Sequence, residues 1–554
     1  MNRNEPALRA ANLERLSGSP FDVAVLGGGI NGAVTAAALA ARGARVALLE
    51  RRDFGAATSQ ESSNLVWGGI KYLESYQLGL VRKLCRARNQ LLRAFPSSVQ
   101  EIRFYASHPR GFRHPRWKLV LGTWLYWALG GFRTRRPRLL STTTMAREES
   151  IVSLDGLDGG FEYSDAFLPD GDARFVWGFV RSAMDAGCAA VNYLEALGSR
   201  REGEQWVTAA RDAVGGAEIE VRSRVLVNAC GPFADRVNAR DGVRTAHRHV
   251  FSKGIHLLVD RVTASDRVLT FFADDGRLFF VIPMGPRACI GTTDTPVERP
   301  EVVVTAEDRR FVLDNINKRL RLPRPLEERD VIAERCGVRP LVVEGGAPDA
   351  SDWLQLSRRH HVETDLEARH VTIFGGKLTD CVNVGEKLCA EAERLGIELP
   401  RRERPWYGEP AEEVREEFLR QAAELRLDAA AAGAAEPPSR RLWRRYGARA
   451  PGLLEAIRRD RRGAEVLIEA AGLLRCEVEL AAREEMVVTL EDFLRRRTNV
   501  ALLVRREALR ADPALREVGD ILFGEESRRR LAEWLGERGE PARRQSAVGA
   551  ADGR

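Results

Sequence analysis

The chain has 554 residues, 44% of them hydrophobic, with a formal net charge of +7. That length can bury large cores and predicts two or three domains. Its eight cysteines are scattered without CxxC or Cys/His clusters, which speaks against a disulfide framework or a metal site and suits a reducing cytoplasm. Basic residues are mixed with acids almost everywhere and no recognition motif accompanies them, so nucleic acid is not an expected partner.

Residues 1–20 lack an apolar h-region and read as a polar lead-in rather than a secretory signal. FDVAVLGGGINGAVTAAALAARGARVALLE then reads as strand, glycine turn, alanine-rich helix and second strand, ending at Glu50. Gly27, Gly29 and Gly32 have the GxGxxG spacing, with Ile30 and Asn31 between them. The first glycine makes the turn, the second admits a pyrophosphate and the third lets helix and strand pack closely. Glu50 is placed to accept from ribose hydroxyls, and its charge argues against a 2′-phosphate. The motif alone does not separate NAD from FAD. Downstream, the hydroxyls of Thr58, Ser59, Ser62 and Ser63 can cap a helix and donate to a diphosphate.

SSNLVWGGIKYLE follows, with Gly68 and Gly69 between Trp67 and the pair Lys71 and Tyr72. A glycine pair permits close backbone approach to a ligand, and Lys-Tyr suits a phosphate. From Arg103 to Leu140 there is no acid, and Trp117 to Phe132 is apolar and aromatic between basic flanks. A helix over that stretch covers about 24 Å, short of the roughly 20 residues a spanning helix needs. Trp and Tyr beside Arg and Lys suit headgroup depth, and the lack of acids favours an interfacial segment over a buried core helix.

Further motifs come in order: GFEYSDAFLPDGDAR, VLVNACGPFAD, SKGIHLLV, FFVIPMG, IGTTDTPVE, CGVRPL, LSRRHHVE, IFGGKLTDC and EEMVVTLEDFLRRRT. Together with GGGINGA and GGIKYL, this series resembles the FAD-dependent glycerol-3-phosphate dehydrogenases of the D-amino-acid-oxidase-like flavoprotein superfamily. The resemblance implies an α/β fold: a Rossmann-like FAD-binding domain, a mixed-sheet substrate domain over the flavin and an all-helical C-terminal domain. The oxidoreductase body is expected over 21–405, with FAD-binding parts near 21–85, 190–240 and 370–395 and the substrate domain interleaved. A Pro/Arg-rich joint leads to a helical cap over 409–540, whose Ala/Leu/Glu/Arg segments have helical periodicity, and a disordered tail over 541–554.

Oxidising a secondary alcohol on a flavin requires a base for the hydroxyl proton, cations for a phosphate and donors for the reduced flavin edge. By resemblance, Arg339 in the stiff GVRP stretch lies over the flavin near the substrate hydroxyls, the alternative being a strand-end surface arginine. Gly376, Lys377, Leu378 and Thr379 form a helix start facing the flavin, with Lys377 reaching phosphate or flavin. Ala229 and Gly231 belong to the turn that returns to the dinucleotide. Lys71, Tyr72 and Arg358 resemble substrate-phosphate contacts, surface charge being the alternative for each. His256 matches a family histidine near the flavin, the alternative being a satisfied core histidine.

The chain departs from the family at Trp67, where a histidine favoured as catalytic base precedes the glycine pair, since indole cannot take a proton from an alcohol. Lys71 replaces an arginine and so offers a point charge in place of a bidentate fork. Three readings follow. The first is a glycerol-3-phosphate dehydrogenase with His256 as its base. The second is a sister oxidoreductase for another phosphorylated or anionic alcohol or amine. The third is an FAD-bound scaffold with little turnover. The expected electron acceptor is a membrane quinone, reached from a cytoplasmic protein held at the inner face of the membrane by segment 103–140.

Overall fold

A computed structural model describes residues 7–274, 276–345, 359–431 and 436–536. Arg358 and the tail 541–554 lie outside the described residues. Two sheets organise the body. In the first, strands His370–Phe374, Glu218–Asn228, Phe21–Leu26, Val46–Leu49 and Ala189–Val191 lie side by side, all parallel. The runs FDVAVL and VALL are almost wholly buried, as a sheet covered on both faces requires. Helix Ile30–Ala41 is buried at every position from Asn31 to Ala41. Its methyl side chains let it pack between helices Asp172–Asp185 and Cys381–Arg394.

The second, ten-stranded sheet is mixed. Its longest pairing is antiparallel, between His247–Asp260 and Ala333–Glu344, in a register that sets His256 beside Arg335 and Ser252 beside Arg339. Strand alternation gives this pair two different faces. Ile255, Leu257 and Val259 join the core with Val312 and Ile316 of helix Ala306–Arg319. Ser252, Gly254, His256, Arg335, Gly337 and Arg339 occupy the other face, toward the dinucleotide domain.

The C-terminal region is built of helices around their own apolar clusters, with one small two-stranded ladder, Val466–Ile468 with Leu473–Leu474. Two local expectations change. The polar lead-in contains a helix, Ala7–Leu16, because Arg9 is fully buried and donates to Asn192 O at 2.8 Å and Asp212 Oδ1 at 2.5 Å. The acid-free segment 103–140 is not one surface element. Its start lies in strand Gln100–Pro109, where Phe104, Tyr105 and Ala106 are core residues and buried Arg103 pairs with Glu162 at 3.0 Å. Helix Arg116–Leu129 and the loop after it carry most of the outward-turned apolar side chains, with Leu139 of strand Arg138–Leu140 also exposed. Trp117 is 67% exposed and Leu121 61%, beside Trp124, Leu125 and Phe132. Among the described residues no helix is long and apolar enough to cross a membrane.

Candidate active site

The dinucleotide turn is shaped by what its glycines exclude. A Cβ on Gly32 would lie 1.8 Å from Gly27 O, and one on Gly27, at φ +101°, would lie 2.6 Å from Ala229 O. The turn therefore sits directly against the Ala229–Gly231 return. Gly28 N donates to Glu50 Oε2 at 2.7 Å, which ties the glycine turn to the acid ending the second strand. Ile30 N, at the start of the buried helix, donates to Ser59 Oγ at 3.0 Å. Helix start, glycine cradle and terminal carboxylate together fit the diphosphate and ribose of a dinucleotide.

The other hydroxyls are placed differently. Thr58 Oγ1 donates to Val338 O at 3.1 Å, so it joins the dinucleotide segment to the second sheet. Ser62 Oγ accepts from Asn64 N at 3.1 Å and closes its own turn, with Ser63 between them. Of the four hydroxyls, Ser59 is thus the one bonded at the helix start.

On the facing sheet, Arg339 is oriented at three points: Thr292 Oγ1 at 2.7 Å, Thr293 O at 2.9 Å and Asp294 Oδ1 at 3.1 Å. Its guanidinium lies over Gly254, where a Cβ would come within 2.4 Å of Nη2. His256 is buried on the same face, and neither ring nitrogen has a hydrogen-bond partner among the described residues. Burial, then the charges of Arg335 and Arg339, push its pKa down to about 3. The imidazole is therefore neutral at neutral pH.

A third segment closes the site. Asn31 Nδ2 donates to Gly375 O and Gly375 N to His249 Nε2, each at 3.0 Å. Gly375 and Gly376 have φ of +61° and +111°, which favours glycine at both. A Cβ on Gly376 would meet Asn31, in the first turn of the dinucleotide helix. Lys377 Nζ lies 4.2 Å from the ring centroid of Tyr72 and 5.4 Å from that of Trp67. Leu378 begins the helical turn, and Thr379 Oγ1 donates to Trp67 O at 3.1 Å, so the two glycine-pair loops are joined.

Residues 22–376 match the family described as FAD dependent oxidoreductase. Residues 369–525 match the C-terminal domain of alpha-glycerophosphate oxidase. The glycerol-3-phosphate dehydrogenase 2 of Mycobacterium tuberculosis is 31% identical over 508 residues, 90% of this chain and 84% of that protein. The chain belongs to the FAD-dependent glycerol-3-phosphate dehydrogenase family, and FAD is its cofactor. The D-erythritol 1-phosphate dehydrogenase of Brucella abortus is 33% identical over 66% of this chain and 72% of its own length. In fold, the chain is similar to the glycerol-3-phosphate dehydrogenase of Bacillus halodurans complexed with FAD. That likeness has TM-score 0.73 and 23% identity, covering 96% of this chain and 97% of the other.

Set against this family frame, the geometry brings most of the anticipated residues onto three converging segments: 58–72, the strand pair bearing His256 and Arg339, and 375–379. Arg358 lies outside the described residues. Its neighbour Arg359 donates to Gln77 Oε1 at 3.2 Å, close behind the Lys71–Tyr72 turn. Three supports were missed in the sequence. Arg335, fully buried, donates to Asn64 Oδ1 at 2.8 Å and to Ser62 O, which fixes the chain entering the tryptophan loop. Asp294 and Thr292 orient Arg339. Beneath Gly68, buried Asp165 accepts from Gly68 N at 3.0 Å, Arg88 Nη1 at 2.7 Å and Tyr126 Oη at 2.7 Å. An Asp in the aromatic-rich run GFEYSDAF was the one signal available for that network.

Proposed function

We propose that this protein oxidises sn-glycerol 3-phosphate to dihydroxyacetone phosphate and passes the electrons to a membrane quinone. The reading is carried by Arg339, a half-buried guanidinium locked over a glycine floor on the same sheet face as a neutral imidazole. The chemistry FAD supplies when bound is acceptance of a hydride from the alcohol carbon. Arg339 orients the substrate hydroxyl toward His256, whose ring nitrogen takes the hydroxyl proton. Because Arg335 and Arg339 penalise the imidazolium, that proton moves as the hydride departs and no alkoxide forms beforehand. Lys71, Tyr72 and Lys377 bind the phosphate end, and the backbone at Leu378 and Thr379 would supply donors to the reduced flavin.

Anaerobic mixing of the purified flavoprotein with glycerol 3-phosphate should bleach its flavin absorption. No bleaching by this compound, with bleaching by a longer polyol phosphate, would replace the substrate assignment. Trp67 favours keeping that second reading, because an indole in place of the family histidine reshapes the pocket wall, and one relative is named for erythritol 1-phosphate. Association with the inner face of the cytoplasmic membrane is supported by the surface helix Arg116–Leu129. Trp117, Leu121, Trp124 and Leu125 share its outer face, and Lys118, Arg133, Arg135 and Arg136 are exposed around it. Such a helix lies in an anionic bilayer surface without spanning it. The protein should float with anionic vesicles, and flotation undiminished by Trp117→Ser/Leu121→Ser/Trp124→Ser would overturn the membrane assignment.

A further inference from the structure

Three consecutive arginines of the C-terminal domain, Arg495, Arg496 and Arg497, end the π-helical turn Asp492–Arg497. All three reach the segment between the second dinucleotide strand and the tryptophan loop. Arg497, fully buried, makes a bidentate pair with Asp53, both bonds 2.8 Å, while its face covers Trp177 at 4.1 Å. Arg496 donates to the same carboxylate at 2.7 Å and to Gln60 Oε1 at 3.1 Å. Asp492 Oδ1 holds Arg496 at 2.5 Å. Arg495 pairs with Glu61 at 3.0 Å, and the same Glu61 oxygen accepts from Cys336 N at 3.1 Å, on the strand that bears Arg335 and Arg339.

Both ends of segment 53–61 are thus fixed from the other domain, and what lies between them shapes the cofactor turn. Phe54, next to Asp53, packs against Gly28, where a Cβ would come within 2.5 Å of its ring. Gly55 N donates to Gly28 O at 3.0 Å, and Ser59 caps the dinucleotide helix. Asp53 is held ionised by Arg497 and Arg496, which outweigh its burial. A carboxylate buried this deeply keeps its charge only while both guanidiniums stay in place.

We infer that Arg495, Arg496 and Arg497 are positioning residues for FAD. Through Asp53, Gln60 and Glu61, the C-terminal domain sets the loop that receives the diphosphate and its distance from the substrate sheet. The Arg495–Glu61 arm tests this best, because neither side chain bonds Asp53 and both keep some exposure, 9% and 12%, unlike the fully buried Asp53–Arg497 pair. FAD is titrated into flavin-stripped protein by fluorescence quenching, with the melting temperature of the stripped protein read in parallel. Arg495→Ala and Glu61→Gln should each weaken FAD about fivefold or more, which is about 1 kcal/mol. The double variant should be no weaker than the poorer single one, and Arg495→Lys should restore most of the loss. Arg505 also bridges from the C-terminal domain, to Val331 O at 2.8 Å, but away from segment 53–61. Arg505→Ala should bind FAD as the parent does. Parental FAD affinity in both Arg495→Ala and Glu61→Gln would overturn the inference. So would equal weakening by Arg505→Ala, which would make the effect one of general domain docking. Should Arg495→Ala not fold, Glu61→Gln decides alone.

Discussion

His256 should remain unprotonated far into the acid range. Its pKa is pushed from 6.5 to about 3 by burial and by Arg335 and Arg339. At pH 5 roughly 1% of the folded protein carries the proton, against about 97% for an unperturbed imidazole. The unfolded chain takes up that proton below about pH 6.5 and the native site refuses it, so the native state loses ground as the pH falls. This contribution is fully present above pH 6.5 and is lost progressively as the pH drops toward about 3. Each pH unit is worth about 1.4 kcal/mol, so pH 5 costs about 2 kcal/mol relative to pH 6.5. His370, lowered to about 4 by burial, adds a slope of the same sign, so the assignment needs a variant.

Two measurements isolate the residue. With ¹³C-labelled histidine, the signal that vanishes in His256→Gln should show no titration between pH 8 and pH 5. In urea unfolding, the same variant should lose less stability than the parent over that interval, by about 2 kcal/mol. A His256 signal titrating near pH 6.5, or identical acid slopes in parent and variant, would refute the reasoning. Either result would mean that neither burial nor the two arginines lower this ring's pKa, and the late proton transfer assigned to it would fall too.

Tyr126→Phe removes one of three donors to the buried Asp165 carboxylate, whose pKa burial already raises. It should cost about 1–2 kcal/mol in urea unfolding, with faster hydrogen exchange at the Gly68 amide. Gly32→Ala places a methyl 1.8 Å from Gly27 O, so the turn cannot close, and the variant should purify without visible flavin absorption.

The dinucleotide half of the fold was legible because its signals are local. Strand, glycine turn, alanine helix and terminal Glu50 all fall within thirty consecutive residues, 21–50. The face shared by His256 and Arg339 was partly legible, since SKGIH and CGVRP were each recognised, but their register is a pairing between distant strands and is not encoded in either one. The supports were hidden for the same reason. Asp53 and the arginines that hold it are 443 and 444 positions apart, and nothing in either segment names the other. Segment 103–140 misled because composition does not reveal pairing. Its lack of acids is common to a buried strand, whose Arg103 finds Glu162 on a neighbouring strand, and to an exposed helix.

Trp67 offers the sharpest remaining test of the mechanism. Its carbonyl anchors Thr379 and its ring flanks Lys377, so the residue ties the two glycine-pair loops together whatever its side chain does chemically. A histidine at this position would keep the backbone bond and exchange an aromatic face that stabilises a cation for a ring that competes with one. With the Lys377 ammonium alongside, the new imidazole would be held below its ordinary pKa and would stand neutral at neutral pH, ready to accept a proton. Trp67→His should therefore raise the rate of flavin reduction by glycerol 3-phosphate if the missing base limits the reaction, by about 10²-fold at the lower end of general-base effects. His256→Ala in that background should then matter little. An unchanged rate in Trp67→His, together with a collapse in His256→Ala alone, would place the proton transfer at His256 and leave Trp67 as pocket wall. If Trp67→His also shifted preference from a longer polyol phosphate to glycerol 3-phosphate, the indole would be a selector of substrate length, and the base question would be separate from it.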